Sequence, residues 1–548
     1  MKPTRRLLWF VLSTVVLCAL LGGVYGRRVE ATTDGDEPDV HTSYDAFSKV
    51  FDVVEKNYAD PLDPDKALFG PLPNSPVGAI PGMLRTLDPH SSFFDPHAFT
   101  ALREDQEGKY YGVGMTIQQR PGKMGKLETI VLLPIPGSPA FHAGLRPGDI
   151  ILKVDAKPTE GLASDRVAEM LKGPKGTVVR VTVGREGSDE PLDFTITRDE
   201  ISRRSLDDVF MIRPGIAYLH IDKFNETTND ELTDALKTLN DKSLKGMVLD
   251  LRDNRGGLLQ EAVDVSDHFL EKHQLIVYHY GRHSTEKKYY ATKGDGGNQY
   301  PMVVLINHET ASAAEIVTGA LQDHDRALVM GDTSFGKGLV QTVYPLSERT
   351  GLALTTAHYY TPSGRLIQRQ YENVSLYDYY YRSNNAPTPH DEVRLTDGGR
   401  EVYGGGGITP DVKFTEPPLT PTQEKLIACG PSFPQCGPFF EFAKYYLGVH
   451  KTIPRDFNPG DDVVQEFGQY LEKQNVHASE QDLKDNQDFI KRNLRLELIA
   501  MIYGDDEAKR IKVEDDPLVE KGLASLPQAQ DLLARAKKYV ASKGHVNQ

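Results

Sequence analysis

Gly246-Met247-Val248-Leu249-Asp250-Leu251 runs directly into Arg252-Asp253-Asn254-Arg255-Gly256-Gly257. The first six residues read as a buried strand, and the closing glycines as a tight turn. Leu258 to Phe269 then has the spacing of an amphipathic helix. Met302 to Ile306 is a second apolar strand, and Ser312 to Gln322 a second helix. Strand and helix alternate in this way from Ile216 to Met330. Alternation at this spacing indicates βαβ units and an α/β core.

The texture changes on both sides of that core. From Tyr111 to Arg198 the chain reads as short strands and turns with one helix, Ser164 to Leu171, the size of one small domain. Upstream, Phe47, Val50, Phe51 and Val54 have helical spacing within Ser43 to Tyr58. Pro61 to Pro81 is turn-rich, and a short helix is predicted around Met83 to Leu87, before Asp88-Pro89-His90-Ser91-Ser92. Beyond Thr420 the chain is charged, with Glu and Lys at helical spacing, and ends in a polar helical tail from Gln528 to Ser542.

The chain has 548 residues, 39% of them hydrophobic, which is too apolar for a mostly disordered protein and long enough for three or four domains. Its formal net charge of −15 argues against a general nucleic-acid binder, which needs a basic face. Three cysteines exclude a disulfide scaffold and a Cys-rich zinc module. Leu7 to Gly26 is twenty residues without a charge, flanked by Lys2, Arg5 and Arg6 before and Arg27 and Arg28 after. At ~1.5 Å per residue such a helix spans ~30 Å, a bilayer core. The run reads as a single-span anchor in preference to a cleaved signal peptide, so the remainder is expected to be exported. In that oxidising setting a Cys429–Cys436 disulfide and two free thiols both stay open.

Several motifs carry chemistry. Gly331-Asp332-Thr333-Ser334-Phe335-Gly336-Lys337-Gly338 nearly matches a phosphate-binding loop, but Gly338 lacks the hydroxyl for Mg²⁺ and a strand-like segment follows instead of a helix. Ser312 and Glu315 fit a capping box. The same serine, in a first helical turn, also suits a nucleophile, because helix N–H groups stabilise a developing oxyanion. His279 and His283 have helical ligand spacing on a segment that reads as a strand, so no metal site is expected. No Ser stands in a Gly-x-Ser-x-Gly elbow or a trypsin-like one. Ser312 therefore needs another base, and Lys337 is the candidate. Its pKa must fall from ~10.4 to about 7, roughly 4–5 kcal/mol, which desolvation can supply. Gln341, four residues on, returns to the same face and offers a neutral amide to orient the amine.

At these residues the chain resembles the C-terminal processing peptidases (tail-specific proteases), serine peptidases that carry a PDZ domain. Thr310-Ala311-Ser312-Ala313-Ala314-Glu315-Ile316 resembles their nucleophile motif. Phe335-Gly336-Lys337-Gly338, with Val340-Gln341, resembles their lysine motif. Asp250-Leu251-Arg252 with Asn254, Gly256 and Gly257 is similar to their strand-turn signature. Tyr360-Thr361-Pro362-Ser363-Gly364-Arg365, Gly406-Gly407-Ile408-Thr409-Pro410-Asp411 and Leu87-Asp88-Pro89-His90-Ser91 also fit. Residues 111–198 resemble the PDZ domain, with Gly144, Pro147, Gly148 and Asp149 in its pattern. Lys172 stands where Arg is common, and Arg255 where Pro is common. The resemblance covers residues 45–415 and stops short of the tail.

The resemblance implies a serine endopeptidase that cuts near protein C-termini. It implies Ser312 as nucleophile, Lys337 as general base and Gln341 as the residue that positions the lysine. The oxyanion hole would be the N–H groups of Ala313 and of a turn glycine, Gly257 in preference. The fold would be a crotonase-like α/β peptidase core with an inserted PDZ domain. The expected order is a signal anchor (1–28), a linker (29–42), a helical N-terminal region (43–105), the PDZ domain (106–200), the peptidase core (201–415) and a helical C-terminal region (416–548). A substrate C-terminus would add as a strand to the PDZ groove, its carboxylate on the N–H groups of Val113 and Gly114, with Tyr111 and Met115 beside the pocket. No cofactor, metal or nucleic acid is implied. Partners would be protein substrates held by their C-termini, and the membrane through the N-terminal span. A homodimer and an activating partner stay open. The catalytic part would face the exported side of the cell membrane. The alternative is a non-catalytic PDZ adaptor on the same fold, which the presence of both Ser312 and Lys337 disfavours.

Overall fold

The computed structural model describes residues 40–57, 64–69, 78–122, 126–185, 188, 190–295, 299–346, 350–372, 374–381, 392–415, 417–428, 437–450 and 452–546. The apolar run Leu7 to Gly26 and the pair Cys429 and Cys436 lie outside the described residues. No helix among the described residues is long and apolar enough to cross a membrane. The chain forms two compact units, Met1–Leu68 and Phe69–Gln548. In the first, the helix Val40–Asn57 starts three residues before the expected Ser43, and Phe47, Val50 and Val54 are exposed on it.

The second unit is built on a six-stranded sheet. Its order is Leu206–Arg213, Ile216–Ile221, Gly246–Asp250, Met302–Ile306, Leu328–Gly331 and Val412–Lys413. The first pair is antiparallel and the rest are parallel, with Leu249 opposite Val304 and Val304 opposite Val329. Gly246–Asp250 and Met302–Ile306 are buried along their whole length. Strands covered on both faces need such unbroken apolar runs.

Helices Thr228–Thr238, Leu259–Asp267 and Ala313–Asp323 cover one face through Leu232, Val265, Val317 and Leu321. The other face is covered from the far C-terminus, where Val513, Leu518, Val519, Leu526 and Ala529 pack on Val248, Val303, Leu305 and Met330. The expected polar tail is therefore an amphipathic helix, Leu526–Val546, with Leu526, Ala529, Leu533 and Ala536 buried along one stripe. The preceding helices, between Pro421–Ile427 and Gln487–Tyr503, close on their own core of Phe439, Phe442, Phe467, Leu471 and Leu494. A second, antiparallel sheet of Ser92–Phe94, Leu275–Gly281, Ser284–Tyr290, Leu339–Pro345 and Gly351–Tyr360 packs beneath the first three helices through Ile276, Val277 and Tyr359. The segment after the near-match to a phosphate loop is thus a strand, as its β-branched residues and terminal Pro345 require.

The small domain is strung between two paired strands, Lys109–Gly112 and Asp199–Ser202, with Tyr110 opposite Ile201. It enters and leaves at one point, which makes it an insertion. Its own sheet runs Met115–Pro121, Leu127–Pro134, Ile150–Val154, Val178–Gly184 and Leu192–Thr197 around Val131, Ile151, Val179 and Val181. Met115–Pro121 is an edge strand, in contact with the helix Ser164–Leu171. Upstream, the helix expected around Met83 to Leu87 is Ala79–Arg85. It begins earlier because Pro81 sits in the first turn, where no intrahelical N–H is required.

Candidate active site

Ser312 follows the strand Met302–Ile306 and precedes the helix Ala313–Asp323. Its backbone has φ 56° and ψ −116°. A side chain there costs about 1–3 kcal/mol and persists only where neighbours impose it. Three do. Ala311 N–H donates to Asn254 O at 2.9 Å, Ser312 N–H donates to Glu315 Oε2 at 2.8 Å, and the Tyr359 hydroxyl lies 3.0 Å from Ser312 O. Ser312 is thus no ordinary N-cap, which would have extended φ and ψ. Ala313 opens the helix, so its N–H is one of the donors without an intrahelical partner.

The Gly-Gly turn lies against it. Asn254 is fully buried, donates from Nδ2 to Ile221 O at 2.7 Å and accepts from Gly256 N–H at 2.8 Å. That occupies the Gly256 donor, and among the described residues Gly257 N–H has no acceptor. Phe224 clamps the turn, its N–H donating to Gly256 O at 3.0 Å and its carbonyl accepting from Leu258 N–H at 2.8 Å. A Cβ on Gly256 would stand 2.7 Å from the Ser312 Cβ and 2.9 Å from Ala313 N. Behind the turn, Arg252 chelates Asp250 and donates to Asp516 at 2.8 Å. Burial alone would raise the Asp250 carboxyl, but the Arg252 charge outweighs it and holds the group below its ordinary value.

Lys337 precedes the strand Leu339–Pro345 and donates from Nζ to Gln341 Oε1 at 3.0 Å. Gln341 Nε2 donates in turn to His90 O at 2.5 Å. A bulge between Val340 and Gln341 shifts the strand, so the four-residue spacing works through an irregular segment and not a regular period. Burial pushes the Lys337 ammonium below its ordinary value, while Glu315 and Asp88 pull the other way. Glu315 is fully buried and accepts four hydrogen bonds: Ser312 N–H at 2.8 Å, Lys337 N–H at 2.9 Å, Gly336 N–H at 2.7 Å and the Ser334 hydroxyl at 2.5 Å. Burial raises its carboxyl, and those four donors oppose the rise. The Tyr359 hydroxyl also lies 2.5 Å from Lys337 O. One carboxylate and one phenol therefore tie the backbones of Ser312 and Lys337 together.

Ser312, Ala313, Gly257, Lys337 and Gln341 line one cavity of about 510 Å³, with Phe94, Leu102, Leu258, Ile316 and Val343 as apolar wall. Tyr111, Val113, Gly114 and Met115 do not line it; they lie together in the inserted domain. Tyr111 is exposed and donates to Glu200 at 3.3 Å. Gly114 has φ 76°, and its carbonyl accepts from the Ser138 hydroxyl at 2.7 Å and from Ile135 N–H at 3.1 Å. The N–H groups of Val113 and Gly114 have no acceptor among the described residues. Met115 opens the edge strand. Lys172 reaches out of the domain to Glu104 at 2.5 Å, on the helix Pro96–Glu107. His279 lies on a strand, and no cluster of three metal-ligating side chains occurs among the described residues.

Sequence reading missed several participants. Glu315 is legible as half of a cap and as a member of the Ser312 motif, but its bonds to Ser334, Gly336 and Lys337 are not. Tyr359 and Asp516 carry no local signal; each matters through a partner distant in sequence.

The comparisons define the class. The profile described as Peptidase family S41 matches residues 215–374, and that described as PDZ domain matches residues 130–185. The carboxy-terminal-processing protease of Bartonella bacilliformis is 36% identical over 368 residues, 66% of this chain and 80% of that one. The carboxy-terminal processing protease CtpA of Bacillus subtilis is 32% identical over 378 residues, 68% of this chain and 76% of that one. Among solved structures, the photosystem II D1 C-terminal processing protease aligns over 67% of this chain and 92% of its own, at 27% identity and a TM-score of 0.32. The family profile and the two protease relatives, on an α/β core with an inserted PDZ domain, define a serine-type peptidase. The chain belongs to peptidase family S41, among the carboxy-terminal-processing proteases.

Proposed function

We propose that this protein cleaves proteins near their C-termini with a Ser312–Lys337 dyad supported by Gln341. The observation that carries this reading is a strained serine, a buried lysine and two open N–H groups around one cavity. In the resting enzyme the neutral amine of Lys337 takes the Ser312 hydroxyl proton as Oγ attacks the scissile carbonyl carbon. The oxyanion then sits between the N–H groups of Ala313 and Gly257. Lys337, now an ammonium, returns the proton to the leaving amine. Water, deprotonated by the same amine, hydrolyses the acyl-enzyme. Gln341 accepts from Lys337 without a charge, so it orients the amine and leaves its pKa low.

The PDZ domain holds the substrate tail as an added strand on Met115–Pro121, its carboxylate on Val113 and Gly114 N–H. Burial of apolar wall beside Ser312 favours an apolar residue at the cut. The segment Leu7 to Gly26 anchors the chain, with the peptidase on the exported side. In a cleavage assay on a folded protein with an unstructured apolar tail, Ser312→Ala and Lys337→Ala each lose at least about 10³-fold in rate while circular dichroism is unchanged. The wild-type kcat/KM rises with pH through a midpoint below the ordinary lysine value, because the working form of Lys337 is the deprotonated one. A Lys337→Ala variant at near-full rate contradicts the dyad.

A further inference from the structure

The His90 carbonyl accepts from Gln341 Nε2, across 251 residues of sequence. A carbonyl oxygen only accepts, so the NH2 half of the amide must face it. That turns Oε1 toward the Lys337 amine. The reversed amide would set NH2 against an amine and oxygen against oxygen. Whatever holds the His90 carbonyl thus decides which end of Gln341 the lysine meets.

Asp88 holds it. This carboxylate is buried, and its Oδ1 accepts from the N–H groups of His90 and Ser91, each at 2.7 Å. Its Oδ2 accepts from the Ser91 hydroxyl at 2.7 Å. The Ser91 oxygen accepts from Thr355 N–H at 3.1 Å, and Thr355 is the register partner of Gln341 across the two strands. Tyr380 donates to Pro89 O at 2.9 Å, and His90 Nε2 meets the Tyr379 hydroxyl at 2.8 Å. Burial, with the Lys337 charge second, pushes His90 down to about 3. Its ring is therefore neutral across the working range and adds no charge beside the amine.

We propose that Asp88 is a positioning residue of the reaction: through the His90 carbonyl it sets the orientation of the Gln341 amide, and so the place of the Lys337 amine. The inference rests on the reading of Lys337 as the base. The bland role, a carboxylate that merely closes a turn, predicts a loss of folded protein and no specific link to Gln341.

The test is a double-mutant cycle on the full chain, read as kcat and KM on the tailed substrate. Asp88→Ala and Gln341→Ala each lower kcat at least about tenfold, with KM within about twofold. The double variant is no worse than Gln341→Ala alone, because Asp88 acts through that side chain. Losses that multiply overturn the proposal, as does an Asp88→Ala enzyme of wild-type kcat. Should Asp88→Ala fail to fold, Asp88→Asn carries the same cycle, since its amide turns an NH2 toward one of the donors that the carboxylate accepts from.

A pH profile adds a second reading. The charged groups acting on Lys337 are Glu315 from the helix and Asp88 from the turn; Arg369 acts on His90, and Asp105, Asp222, Lys223, Asp253 and Arg255 also line the cavity. Asp88→Asn removes a nearby negative charge, so its acid limb moves to lower pH. A limb that stays in place removes Asp88 from the lysine's surroundings. Activity that survives Lys337→Ala in the same assay would defeat the dyad itself, a result distinct from all of these.

Discussion

Glu315 accepts from the N–H of Ser312 and from that of Lys337, so the two residues share one anchor. Its four partners are all donors, and a glutamine there would turn an NH2 toward at least one of them. Each buried donor so deprived costs about 1–3 kcal/mol. Glu315→Gln is therefore expected to lose both activity and thermal stability, with a fall of several degrees in Tm by calorimetry. A Glu315→Gln enzyme with full stability and rate would show that the carboxylate is dispensable. Ser312, Lys337 and Gln341 were legible in sequence because short motifs surround them, and the cavity brings all three together. Glu315 is legible as a cap and as a neighbour of Ser312 in the same motif. Its links to Ser334, Gly336 and Lys337 span about twenty residues of chain, and no local pattern encodes them.

At the scale of elements, the Gly-Gly turn is held from three sides, by Asn254, by Phe224 and by the start of the helix Ala313–Asp323. Gly257 has φ 146°, and a Cβ there would stand 2.0 Å from the carbonyl oxygen of Phe224. Gly257→Ala is expected to lose about 1–3 kcal/mol from the backbone alone, and to lower kcat more than KM by displacing the Gly257 N–H. Urea titration and steady-state kinetics check the two parts separately. The strands of the central sheet were legible because their burial demands unbroken apolar runs, and Ser164–Leu171 because its period is regular. Ala79–Arg85 begins inside the stretch that reads as turn-rich, because the first helical turn tolerates Pro81. The final helix was read as polar because its buried stripe consists of two leucines and two alanines, Leu526, Ala529, Leu533 and Ala536, among many charges.

At the scale of the molecule, the chain's last helices are part of the peptidase core. Val248, Val303 and Leu305 meet Val513, Leu518 and Leu526 across the central sheet. Asp516, from the same region, accepts from Arg252 beside the Gly-Gly turn. Truncation before Asp505 would expose that apolar face, so the shortened chain is expected to aggregate on gel filtration. A monodisperse, active truncation would contradict this packing. No sequence motif announced the arrangement, since long-range packing of a helix on a sheet leaves no short pattern.

The central claim is a Ser312-dependent cut near protein C-termini. The direct measurement incubates the full chain with a mixture of folded and tailed proteins, beside a Ser312→Ala control, and reads new termini by mass spectrometry. New termini confined to the wild-type sample and clustered within the tails are the expected result. Equal cutting in both samples, or none in either while the tails still bind the PDZ domain, would contradict the account.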